Sequence, residues 1–163
     1  MKAEKQPKET DAIRAKLERY AALQRKIDNQ IERLDVLVAS MDSPSSPNLT
    51  GLPSGGGDGT SKTERQVLNK LELEEKIRVM VQEERQLRKE LDTLIEAMQK
   101  PDEQTVIQMR YLDGAKWWAI SAALFGSEPD YDNYEKRYLK RTFKIHGSAL
   151  QALARIYRAE TKE

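Results

Sequence analysis

The sequence predicts an all-α protein in which a long coiled-coil-like helical hairpin precedes a compact set of shorter helices. Three observations predict it. Two long stretches repeat apolar residues at steps of three and four, a Ser/Pro/Gly-rich segment separates them, and beyond Pro101 the runs become short and are broken by turn residues.

The first element is expected over residues 8–41. Ile13, Leu17, Tyr20, Ile27, Ile31, Leu34, Val38 and Met41 form a heptad seam, with Gln24 in its one gap. Such a helix extends roughly 40 Å at about 1.5 Å per residue. Alone it is marginal in water, because burial of an apolar stripe outweighs helical propensity, so it needs a partner. Residues 42–61, DSPSSPNLTGLPSGGGDGTS, read as a flexible loop, with Leu49 and Leu52 as its docking candidates. The second long helix is expected over residues 62–100. Ser61 and Glu64 have the capping-box spacing, and Leu73, Ile77, Met80, Leu87, Leu91, Leu94 and Met98 mark its seam, interrupted by Glu84. Pro101 is expected to stop it. The seams suit an antiparallel hairpin within one chain or pairing between two chains.

Composition narrows the function classes. Charged residues make up 34% of the 163, the net charge is +1 and the mean hydropathy is -0.78. With charge so balanced, any basic surface must be local. The absence of cysteine excludes disulfides, thiolate metal ligands and a thiol nucleophile. No run of about 18 apolar residues occurs, and MKAEKQPKET lacks the apolar core of a signal peptide, so a cytoplasmic protein with no membrane partner is expected. His146 is the single histidine, and SGGGDG lacks the lysine and preceding strand of a P-loop. The carboxylates of the hairpin sit among lysines and arginines. No catalytic residue, metal site or cofactor is therefore assigned, and the protein is not expected to be an enzyme.

Residues 102–160 carry the distinctive pattern. DEQTVIQMRYL reads as a short helix with Val106, Met109 and Leu112 inward, and Asp113-Gly114 ends it. A second helix follows in AKWWAISAAL, whose Trp117, Ile120 and Leu124 share one apolar face while Trp118 falls about 100° away. After the turn FGSEPDYDN, the Asp132–Glu135 spacing predicts a capped third helix running past Ala154, with Leu139, Phe143, Leu150, Leu153 and Ile156 buried. Its first turns hold Lys136, Arg137, Lys140, Arg141 and Lys144 with no acidic residue among them. The predicted fold class is thus all-α, a long coiled-coil-like hairpin followed by a C-terminal helix-turn-helix domain.

The order short helix, YLDG, Trp-x-x-Ile-small-x-x-Leu helix, turn and basic helix ending HGSAL resembles the helix-turn-helix of sigma-70 region 4. More closely, it is similar to phage and prophage transcriptional regulators of the ArpU and RinA type. The residues that carry the resemblance are Tyr111, Gly114, Trp117, Ile120, Ser121, Leu124, Ile145, His146, Ala149 and Leu150. Ala119 stands where the pattern usually has an acid, Ser121 stands where it has alanine, and the segment after Leu124 is longer than the usual turn.

The resemblance implies a sequence-specific regulator in the cytoplasm of a bacterial host. It would bind double-stranded promoter DNA and contact RNA polymerase. A homodimer is expected, since one short helix-turn-helix gives limited affinity. Lys136, Arg137, Lys140, Arg141 and Lys144 are the DNA-binding candidates, and Trp117, Ile120, Leu124, Phe143 and Leu150 form the expected helix-turn-helix core. Arginine suits guanine because its fork bonds two acceptors. Tyr131, Tyr134 and Tyr138 are expected to pack on the turn, and His146 to be structural. The alternatives are a DNA-packaging subunit like a small terminase and a purely structural coiled-coil adaptor.

Overall fold

A computed structural model describes residues 8–42 and 61–162. Residues 43–60, and with them Leu49 and Leu52 of the expected loop, lie outside the described residues. The described chain is helical: α1 (Asp11–Asp42) and α2 (Lys62–Glu96) form the long hairpin, and α3 (Pro101–Ile107), α4 (Trp117–Phe125) and α5 (Glu135–Thr161) follow. A π-helical turn, Gln108–Leu112, continues α3, and a 3₁₀ turn, Tyr131–Asn133, precedes α5. Among the described residues no helix is long and apolar enough to cross a membrane. They fall into two compact units, one within Met1–Ala22 and Arg85–Glu163, the other within Leu23–Glu84.

The first unit holds the main core. Ile13, Leu17 and Tyr20 of α1 are fully buried and belong to one cluster with Leu87, Leu91, Leu94, Ile95 and Met98 of α2. Ala149, Leu150, Leu153 and Ala154 of α5 join it, as do Ile107, Tyr111 and Leu112. Polar contacts fix the register at the core's edge. Lys16 Nζ lies 2.7 Å from Glu90 Oε2, and Arg88 donates to Tyr20 Oη at 3.2 Å while pairing with Asp92. Arg158 pairs with Glu9 at 3.1 Å, holding the end of α5 to the residues before α1.

The start of α2 follows the expected chemistry. Glu64 N donates to Ser61 Oγ at 3.2 Å and Ser61 N donates to Glu64 Oε2 at 3.3 Å, which satisfies two orphan donors reciprocally. Its end differs from the expectation. The helix closes at Glu96, and Gln104 reaches back to donate to the Ile95 and Met98 carbonyls at 2.9 and 3.0 Å. Pro101 instead opens α3, where a missing N–H costs nothing and the ring presets φ.

In the second unit the seam is thinner. Leu23, Ile27 and Leu73 are buried, whereas Leu34, Leu37, Val38, Met41, Ile77 and Met80 are half-buried and Ile31 is exposed. Leu23, one residue before the gap at Gln24, keeps the seam apolar.

Candidate nucleic-acid interface

The short helices exist to hold α5. After α3 the helix widens into the π turn, and Asp113 N donates to the Gln108 carbonyl at 2.9 Å. Gly114 then takes φ +69°, the left-handed conformation that a side chain resists, and Ala115 N donates to the Met109 carbonyl at 2.8 Å. This reversal starts α4 at Trp117. Ile120, Ser121 and Phe125 of α4 are buried. Ser121 Oγ has no hydrogen-bond partner among the described residues.

Trp117 is the centre of an aromatic joint between α4 and α5. Its indole meets Phe143 edge-on at 5.0 Å and His146 edge-on at 4.9 Å, and the Arg110 guanidinium lies 4.7 Å from its ring centre. Tyr111 Oη sits 2.9 Å from His146 Nε2, so the π turn is tied directly to α5. Burial pushes the His146 imidazole down to about 4, with Arg14 and Arg110 adding to the effect, and it is neutral at pH 7. Burial also raises the Tyr111 phenol above its ordinary value. His146 is thus part of the scaffold.

The face that α5 buries is more polar than its apolar count indicates. Tyr138, Thr142, His146, Ala149, Leu150, Leu153 and Ala154 are the buried residues. Thr142 Oγ1 donates to the Tyr138 carbonyl at 2.9 Å, which satisfies a hydroxyl that no water reaches. Of the expected helix-turn-helix core, Ile120 and Leu150 are buried and Trp117 and Leu124 are half-buried. Phe143 is corrected: it is 43% exposed, because it lies one residue, about 100°, past the Thr142 position that defines the buried face. Leu139 and Ile156 are half-buried.

The start of α5 is a second correction. Tyr134, not Asp132, occupies the cap position, and no side chain caps the helix. Asp132 is held in the 3₁₀ turn, while the neighbouring Asp130 accepts a hydrogen bond from Tyr138 Oη that raises the phenol's pKa. Tyr131 packs on Tyr138 at 5.6 Å, Phe125 packs on Tyr138 at 5.2 Å, and Tyr134 is exposed. The nine residues between α4 and α5 are therefore an ordered aromatic corner.

All five candidate cations, Lys136, Arg137, Lys140, Arg141 and Lys144, are exposed. None makes an ion pair with a carboxylate among the described residues. They are not equivalent. Arg141 stacks its guanidinium over Phe125 at 5.0 Å and Tyr138 at 5.6 Å, which fixes the plane of its fork, and Arg137 approaches Tyr134 at 6.0 Å. Lys136, Lys140 and Lys144 occupy the side of α5 opposite the buried face, and Lys144 borders a groove with Lys100 and Glu103. Sequence reasoning missed Arg110, whose position over Trp117 has no local signature. Trp118, adjacent to the joint, is 68% exposed. Among the described residues there is no cluster of His, Cys, Asp and Glu able to hold a metal ion.

Comparison with known proteins places this geometry in a family. No curated protein and no solved structure matches the chain. The family model described as "Protein of unknown function (DUF1492)" matches residues 45–141, a span that takes in α2, α3, α4 and the first turns of α5. Since that match covers more than half of its length, the chain belongs to the DUF1492 family.

Proposed function

We propose that this protein is a sequence-specific DNA-binding regulator of transcription, similar to the phage ArpU and RinA type, that lays the first turns of α5 against promoter DNA. One observation carries the reading. Five exposed cations without carboxylate partners lie within nine residues of a helix that three other helical segments hold rigid. Over about 12 Å, the length of that stretch, cations so presented neutralise phosphates and release counterions, which is the main source of affinity for a duplex. Arg141, its plane preset by two rings, is the base-reading candidate, while Lys136, Arg137, Lys140 and Lys144 fix register at phosphates. Trp118 supplies an exposed aromatic surface on the adjoining helix. The protein works in the host cytoplasm, needs no cofactor and pairs as a homodimer over two half-sites, with RNA polymerase as its protein partner.

The test is selection of bound duplexes from a random pool, followed by titration of the recovered sequence at graded salt. The triple variant Lys140→Ala, Arg141→Ala, Lys144→Ala is expected to bind weakly and to flatten the logarithmic salt slope by about 2–3, near 0.9 for each phosphate no longer neutralised. Unchanged affinity and slope would remove α5 from the interface.

A further inference from the structure

The hairpin carries a surface that DNA binding does not use. In the unit of Leu23–Glu84, only two helical arms face one another, and their seam is half-buried where α1 and α2 of the other unit are sealed by α5. Between these arms runs a groove of about 540 Å³ with Leu37 and Leu73 in its lining. Val36 stands at its edge and is 71% exposed, more than any other large apolar side chain among the described residues. Arg33, Glu72 and Lys76 also line it, and none of them is in an ion pair among the described residues. Nearby charges of α2 are satisfied within the helix, as in Lys70–Glu74 and Glu75–Arg78.

We propose that this groove is a self-association surface whose occupant is the same groove of a second copy of this chain. A two-fold interface must be its own complement, with residue i meeting j and j meeting i. This edge of the hairpin has what that requires: the exposed Val36 beside a groove floored by Leu37 and Leu73, and charges of both signs around it. The opposite edge exposes Ile31, Val67 and Leu71, but along α1 its charge is of one sign. Helical periodicity puts Asp28, Asp35 and Asp42 there at seven-residue steps, so that pairing of copies through it would set carboxylate against carboxylate. The size is also suitable. An arm of about 20 residues and two helix diameters give a face of roughly 30 by 20 Å, on the order of 600 Å² in projection, near the ~800 Å² per partner of stable complexes. Two hairpins so joined make a four-helix bundle, which buries the seam that two arms leave half-covered.

The inference deepens the regulator reading and rests on it only for the need to reach two half-sites. It is tested without DNA, by sedimentation equilibrium of the full chain from about 1 to 100 µM, a range that resolves micromolar dimers. A dimer is expected. Val36→Glu and Glu72→Lys should each raise its dissociation constant at least about tenfold. Combining Glu72→Lys with Arg33→Glu and Lys76→Glu should restore pairing, while Asp35→Lys should leave it intact. All these sites are exposed, so helicity by circular dichroism should match the parent; should Val36→Glu lose it, the charge-reversal set decides. A monomer at the highest concentration, a ring of more than two copies, or a dimer indifferent to Glu72→Lys would overturn the proposal. The Lys140/Arg141/Lys144 triple alanine variant should remain dimeric, so failure of the DNA reading and failure of this surface give different results.

Discussion

Replacing His146 with glutamine should remove a specific part of the protein's acid sensitivity. The imidazole lies between Tyr111 and Trp117, and burial together with Arg14 and Arg110 lowers it from 6.5 to about 4. Between those values the unfolded chain takes up a proton that the folded chain refuses. Stability linked to this group is therefore complete above about pH 6.5 and is lost as pH falls toward 4. At about 1.4 kcal/mol per pH unit the full shift corresponds to roughly 3 kcal/mol. Solvent at the imidazole edge screens it, leaving about 1–2 kcal/mol. The assay is urea unfolding followed by circular dichroism at pH 7 and pH 4.5, for the parent and for His146→Gln, which cannot titrate but keeps a polar atom near Tyr111 Oη. The parent should lose about 1–2 kcal/mol more than the variant over that interval. Parallel losses would show that the imidazole titrates alike in both states, and the account of its burial would fail.

Two further outcomes follow from backbone and packing. Gly114→Ala forces a Cβ into φ +69° and should destabilise by about 1–2 kcal/mol, whereas Gly147→Ala, in the interior of α5 with open space around it, should stabilise by about 0.5–1 kcal/mol; thermal melts of both check this, and equal effects would contradict it. Ser121→Ala removes a buried hydroxyl without a partner and should raise stability by about 1 kcal/mol, so that a lowered melting temperature would mean the hydroxyl is bonded after all.

The parts of the fold legible in the sequence are those set by local periodicity and capping. Ile13, Leu17 and Tyr20 with Leu87, Leu91 and Leu94 carry heptad steps and are buried, and the Ser61–Glu64 box closes as its spacing dictates. Gly114 also takes the positive φ that its place after a helix demands. What escaped depends on neighbours distant in sequence. Counting apolar residues put Phe143 in the core, yet the corner after α4 turns α5 so that Tyr138, Thr142 and His146 lie inside. Polar side chains are admitted there because each finds a partner: Asp130, the Tyr138 carbonyl and Tyr111. Asp132 has the spacing of a cap but is withdrawn into a 3₁₀ turn. At the candidate interface the five cations were legible as a charge run. The stacking of Arg141 on Phe125 and Tyr138, and of Arg110 on Trp117, was not, because those rings arrive only when the helices pack.

The uninterrupted course of α5 from Glu135 to Thr161 has a kinetic consequence. Its cationic turns and its Leu150–Ala154 stretch share one hydrogen-bonded ladder, and the latter is anchored among Ile13, Leu17 and Leu91. Fraying from the uncapped start of α5 as far as Lys140 or Lys144 would strip the buried Tyr138 and Thr142 from their partners Asp130 and the Tyr138 carbonyl and loosen the His146 joint. Amide protons along residues 138–146 should then exchange with solvent nearly as slowly as those of the hydrophobic centre, which makes this segment a pre-stiffened probe instead of one that orders upon contact.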